Sequence, residues 1–267
     1  MVDSGAWQGF LDLLKKHRKR RPINGAIIAV SAQDLLTQPA QNREHHAKVI
    51  RERVDELIQQ LGVDFPIYFM LTKMDLVAGF NEFFGGLSKG EREQVWGVTY
   101  TFNENSNNQN DLAAELDQLI ERISTQVFER LNREKDYSRR AAIQGFPLQI
   151  TQLKMSLVAL VDETFSDSRF SRKPLLRGVY LTSATQEGNP IDRVMSAVAS
   201  KFSLRIPSQR ASASQGKSFF IDHLLKSVIF PESELVGVDR QYEKRMTLLR
   251  RVAMGSMVGA ALVAVVV

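Results

Sequence analysis

An unbroken apolar run, Phe65-Pro66-Ile67-Tyr68-Phe69-Met70-Leu71, is long enough for one β-strand, offers no polar face, and stops abruptly at Thr72-Lys73-Met74-Asp75. A strand of this kind belongs in a sheet covered on both sides, the usual home of parallel strands. Upstream, Ile23-Asn24-Gly25-Ala26-Ile27-Ile28-Ala29-Val30 is a second such run, and 41–61 keeps Val49, Val54, Leu57, Ile58 and Leu61 on one side of a helix. Strand, helix and strand in this order predict a right-handed crossover, with any ligand at the carboxyl ends of the strands. The stretch from Thr72 to Asp75 lies at such an end.

The chemistry of that tetrapeptide is specific. A carboxylate at Asp75 can accept from N1–H and the N2 amino group of guanine, while the Lys73 stem covers the base face. Adenine offers no such pair of donors. A plain strand-end turn, with Asp75 capping the residues after it, is the alternative. A further apolar run, Gly178-Val179-Tyr180-Leu181-Thr182, leads into Ser183-Ala184-Thr185. The two loops, in this order, resemble the base-reading loops of P-loop GTPases, with Thr72, Lys73, Asp75, Ser183 and Ala184 as the candidate base-binding residues. A phosphate cradle needs a glycine-rich turn opening a helix. No G-x-x-x-x-G-K-[S/T] and no D-x-x-G precede Thr72, so this chain alone is not expected to hydrolyse a nucleotide, and no catalytic residue is assigned. Residues 211–218 satisfy the relaxed [A/G]-x-x-x-x-G-K-[S/T] pattern. Against a permuted phosphate loop stand Ala211 in place of the first glycine, the small polar residues around it, and the lack of a following D-x-x-G. The segment 212–216 reads as a linker, with Ser218 starting a helix.

Residues 252–267 carry no charge and are built mostly from Val, Ala, Met, Gly and Leu, with Lys244, Arg245, Arg250 and Arg251 just before them. A full span needs about 20 apolar residues, so the chain is expected to stop inside a transmembrane helix. The basic flank places residues 1–251 in the cytoplasm. The net charge is +5, much of it in Lys15-Lys16-His17-Arg18-Lys19-Arg20-Arg21 after an amphipathic helix around 7–19. A solvated helix end is one account of this cluster. Contact with anionic lipid or a partner is another, whereas nucleic acid is disfavoured because no aromatic residues interleave with the charges. The chain has no cysteine, which excludes disulfides and thiolate metal sites. His45 and His46 are adjacent and diverge on a helix, and neither His17 nor His223 has partners at metal-ligand spacing, so no metal site is expected.

The expected organisation is a first α/β segment (1–79), a mainly helical insertion (80–172), a last strand and helix (173–205), a linker with juxtamembrane helices (206–251), and the start of a membrane helix (252–267). Within the insertion, Phe80, Phe83, Phe84, Trp96, Tyr100 and Phe102 are expected in a core or an interface. Helices are expected near 111–134 and 147–165, and the insertion is expected to supply a docking surface. The fold class is thus α/β, a partial P-loop GTPase-like parallel sheet with a helical insertion and a truncated C-terminal transmembrane helix.

Several segments together resemble the IcmF/TssM family of type VI secretion inner-membrane proteins. They are Trp7-Gln8-Gly9-Phe10-Leu11-Asp12-Leu13-Leu14, Arg21-Pro22-Ile23-Asn24-Gly25, Leu71-Thr72-Lys73-Met74-Asp75, Arg177-Gly178-Val179-Tyr180-Leu181-Thr182-Ser183, Gln186-Glu187-Gly188, and Ser218-Phe219-Phe220 through Val228-Ile229-Phe230-Pro231-Glu232. The resemblance implies a scaffold of the secretion membrane complex at the bacterial inner membrane, with its phosphate loop upstream of Met1 and a large periplasmic part beyond this chain. It implies no cofactor for this stretch, and GTP or ATP with Mg for a complete nucleotide-dependent switch. Implied partners are a DotU/TssL-like inner-membrane protein, cytoplasmic baseplate proteins, membrane lipid, and a TssJ-like lipoprotein through the periplasmic part only.

Overall fold

The computed structural model describes residues 4–100, 112–165, 174–184 and 217–234. The elements run α1 (Ser4–His17), β1 (Ala26–Ser31), α2 (Ala32–Thr37), α3 (Ala40–Leu61), β2 (Pro66–Thr72), a 3-10 turn (Met74–Leu76), α4 (Phe80–Phe84), α5 (Lys89–Arg92), β3 (Gly97–Thr99), α6 (Leu112–Arg133), α7 (Tyr137–Phe165) and β4 (Leu175–Leu181). A π-helical turn (Leu224–Ile229) and a 3-10 turn (Pro231–Glu234) come after β4. The expected strand, helix and strand unit is present, with β1 and β2 parallel, Ala26 opposite Ile67 and Ser31 opposite Thr72. Strand β4 runs parallel to β2 on its other side, giving the sheet order β1-β2-β4-β3.

One edge departs from the all-parallel expectation. Strand β3 is antiparallel to β4, pairing Gly97, Val98 and Thr99 with Tyr180, Val179 and Gly178. The sheet is therefore mixed. Gly97 makes the pairing possible, because at its φ of +147° a Cβ would sit 2.3 Å from the Val179 carbonyl oxygen, a position open only to glycine.

From Pro66 to Leu71 every residue of β2 is buried, and its alternate side chains enter two different environments. Ile67, Phe69 and Leu71 join Val54, Ile58 and Leu61 of α3 and the apolar stripe of α7 in the main core. Tyr68 and Met70 face the other way and pack with Tyr180, Leu224, Val228 and Ile229. That second face is covered by part of the segment expected to be a linker with juxtamembrane helices. The helix expected from Ser218 begins at Asp222 instead, since Phe219 is held in an extended backbone pairing with Ser183 and Phe220 adopts φ +63°.

The insertion holds the two long helices predicted for it, but α7 starts ten residues before the expected Pro147 and carries that proline inside it. Its buried stripe, Ile143, Phe146, Ile150, Leu153, Leu157, Leu160 and Thr164, keeps alternating three- and four-residue steps through the proline, so packing overrides the breaker. Helix α6 lays Leu112, Leu116, Leu119 and Ile123 into the same core. Of the expected aromatic residues, Phe80, Phe83, Phe84 and Trp96 form a ring cluster in which Phe80 meets Phe219 at 5.3 Å, Phe84 meets Trp96 at 5.1 Å and Phe220 at 5.2 Å, and Phe83 meets Phe146 at 5.1 Å between ring centroids. Tyr100 is buried, and Phe102 lies outside the described residues. Among the described residues no helix is long and apolar enough to cross a membrane. Residues 252–267, to which the membrane helix was assigned, lie outside the described residues.

A candidate nucleotide-side junction at the strand ends

Strands β2 and β4 end side by side, and their exits are stitched together. The Thr72 hydroxyl donates to the Val30 carbonyl at 3.1 Å, tying the end of β1 to that of β2. Lys73 then turns the chain with φ +59° and ψ +37°, an uncommon conformation for a residue with a side chain. This turn lets the Met74 N–H reach the Thr182 carbonyl at 3.2 Å, while the Thr182 N–H donates to Leu71 at 2.8 Å. The Thr182 hydroxyl donates to the same Leu71 carbonyl.

Asp75 is thereby carried inward. It is 4 % exposed and Ser183 is 1 % exposed, and the Ser183 Oγ donates to Asp75 Oδ1 in a short contact. The Asn81 side-chain amide donates to the Asp75 backbone carbonyl at 3.1 Å. Ser183 also exchanges two backbone hydrogen bonds with Phe219, of 3.0 and 2.7 Å. Three segments far apart in sequence thus meet at this junction, with Ser183 contacting the carboxylate and Phe219 held in place through the Ser183 backbone. Of the five candidate residues, Thr72, Lys73, Asp75 and Ser183 cluster at this junction, and Ala184 comes next at the exposed surface. Thr185 and the segment Gln186-Glu187-Gly188 lie outside the described residues.

The residue types suit the base side of a guanine nucleotide, since a carboxylate fixed by a serine hydroxyl can still accept on its other oxygen. Its burial means that a base reaching Asp75 has to displace its neighbours. For the phosphate side, Lys217 and Ser218 are exposed and lead directly into the extended Phe219 pairing. A phosphate cradle instead requires the helix to open at those positions. Residues 211–216 of the relaxed pattern lie outside the described residues.

Two constellations escape sequence reasoning. On the second face of the sheet, Arg177 grips Glu232 through Nη2–Oε1 at 2.5 Å and Nε–Oε2 at 3.0 Å, and the Tyr68 hydroxyl donates to Glu232 Oε2 at 2.8 Å. Arg177 Nη1 donates to the Tyr100 carbonyl. Burial and the donation to Glu232 push the Tyr68 phenol well above its ordinary range. Burial alone would raise the Glu232 carboxyl, but hydrogen bonds from Arg177 and Tyr68 outweigh it and bring it below its ordinary 4.5. Glu232 lies 55 residues from Arg177 and 164 from Tyr68, so no local sequence pattern joins the three.

The second constellation brings Glu93 to the adjacent pair Asp222 and His223. Side-chain ligand atoms of Glu93, Asp222 and His223 lie within 4.8 Å of one another. Lys226 pairs with Asp222 at 2.8 Å and Lys89 with Glu93 at 3.7 Å, so both carboxylates already face a cation.

Compared with known proteins, residues 1–257 match the family model described as the IcmF-related N-terminal domain. The chain is 44% identical over 269 residues to "Type VI secretion system component TssM1" of Pseudomonas aeruginosa, a match that covers 100% of this chain and 24% of that protein. The chain therefore spans about a quarter of the relative's length. No solved structure matches it. A family match over nearly the whole sequence agrees with the segments that first suggested it: the chain belongs to the IcmF/TssM family.

Proposed function

We propose that this chain is a structural scaffold portion of a type VI secretion membrane complex, working on the cytoplasmic side of the bacterial inner membrane. In this reading its nucleotide-side loops serve as a packing junction and not as a working nucleotide site, and the chain has no enzymatic activity of its own. The observation that carries the reading is the closure of Asp75: Ser183 occupies its Oδ1 and only 4 % of the residue is exposed. The relative's role in secretion supports the setting. A DotU/TssL-like inner-membrane protein and baseplate proteins are the proposed partners for the cytoplasmic surface, with the insertion helices α6 and α7 as docking elements. A TssJ-like lipoprotein would be met only by periplasmic regions beyond this chain.

A second reading is favoured by the position of Lys73, Asp75 and Ser183 at the carboxyl ends of parallel strands, where this architecture binds ligands. In that reading the longer protein is a switch that takes GTP or ATP with Mg. Titration of the chain, and of an Asp75→Asn variant, with a fluorescent guanine nucleotide separates the two. The scaffold reading expects no saturable binding by either protein. Saturable binding by the wild type that is lost in Asp75→Asn overturns it in favour of the switch.

A further inference from the structure

We propose that the exposed side of α1 and the cationic turn after it form a docking surface for an anionic phospholipid bilayer. This surface is separate from the junction at Asp75 and does not depend on which reading of that junction holds.

Helix α1 buries Leu11 fully and packs Trp7 and Leu14 partly against the core. The flank beside that stripe presents Phe10 at 50 % and Leu13 at 55 % exposure, with the Phe10 ring stacked on Trp7 at 5.9 Å. These two large apolar side chains lie one turn apart and in line with His17, by three- and four-residue spacing. Directly after them, residues 16–20 are all exposed. Lys16, His17, Arg18, Lys19, Arg20 and Arg21 line an open hollow of about 580 Å³, with no acidic side chain in its wall. Lys15 reaches the Gln60 carbonyl at 2.9 Å and Arg18 the Asn24 side chain at 2.5 Å. No described ion pair joins any residue of 15–21 to a carboxylate. Helix α1 itself holds one acidic residue, Asp12.

A density of positive charge with no ion pair to a carboxylate among the described residues is costly to the isolated fold and is relieved by an anionic surface. The neighbouring apolar pair decides which surface. Nucleic acid is held by cations interleaved with stacking aromatics, whereas here the apolar residues sit to one side of the charges. That is the layout of a helix lying in a lipid interface, with Phe and Leu below the headgroups and Lys and Arg among the phosphates.

The test is co-sedimentation of the full chain with phosphatidylcholine vesicles and with mixed phosphatidylcholine and phosphatidylglycerol vesicles, any background from residues 252–267 being common to all variants. The expected result is stronger partitioning onto the anionic vesicles. That gain should fall at least about tenfold when Lys16, Arg18, Lys19 and Arg20 are all changed to Gln, and severalfold in Phe10→Ser with Leu13→Ser. Lys19→Gln with Arg20→Gln, both outside α1, serves if the fuller variant unfolds. Unchanged partitioning of the neutralised variants overturns the proposal. So does equally tight binding to soluble polyglutamate or RNA together with indifference of vesicle binding to Phe10→Ser and Leu13→Ser, which would assign the surface to an acidic macromolecule.

Discussion

Ser183 does more at the junction than its size suggests, because its hydroxyl faces a buried carboxylate and its backbone pairs with Phe219. Ser183→Ala keeps the backbone bonds and removes only the hydroxyl, leaving an acceptor on Asp75 without its partner. The expected loss is about 1.5–3 kcal/mol, the range for a hydrogen bond to a charged group, read from denaturant unfolding. A change below about 0.5 kcal/mol would mean that water replaces the hydroxyl. The pairing of residues 75 and 183 was legible in the sequence because each sits at the end of an apolar run, and parallel neighbours bring such ends together. Arg177 and Glu232 were not legible as partners. They lie 55 residues apart in separate segments with no shared local pattern, and only the tertiary path sets them face to face.

At the scale of elements, the apolar period told the truth where it conflicted with local rules. Helix α7 is the clearest case. Pro147 argues for a helix start, yet Ile143 and Phe146 extend the buried stripe upstream of it, and burying two large apolar side chains is worth more than one lost backbone bond. Pro147→Ala restores a donor for the Ile143 carbonyl and removes the ring clash, so it should stabilise the protein by about 1–3 kcal/mol. Thermal unfolding checks this, and a destabilised variant would show that the ring itself fills a needed space. Strand β3 failed for the opposite reason. Three residues beginning with glycine carry too little pattern to be told from a loop, and their pairing depends on how closely β4 can be approached.

At the scale of the molecule, the parallel half of the sheet and the two long helices could be read from apolar spacing, while the covering of the sheet's second face could not. The small polar stretch before Ser218 reads as a linker, and such stretches hide the short apolar returns beyond them. Leu224, Val228 and Ile229 are one such return, packed on Tyr68, Met70 and Tyr180 and held by the Arg177–Glu232 pair. Because the folded protein keeps the Glu232 carboxyl below 4.5, its contribution is fully present above that pH and is lost as pH falls through the folded-state value. Glu232→Gln should therefore lower stability at neutral pH and flatten the acid limb of a stability profile below about pH 4.5. Equal acid limbs in the two proteins would place the loss elsewhere.

The same pair has a mechanical consequence. Tension entering the chain beyond residue 234 meets the two-pronged grip of Arg177 on Glu232 before it meets any rung of the sheet. Since Arg177 stands on β4, a tug from that side is delivered to the strand whose far end carries Ser183. The acidic anchor is thus a strain relief, and it sets how much pull the Asp75 junction can feel.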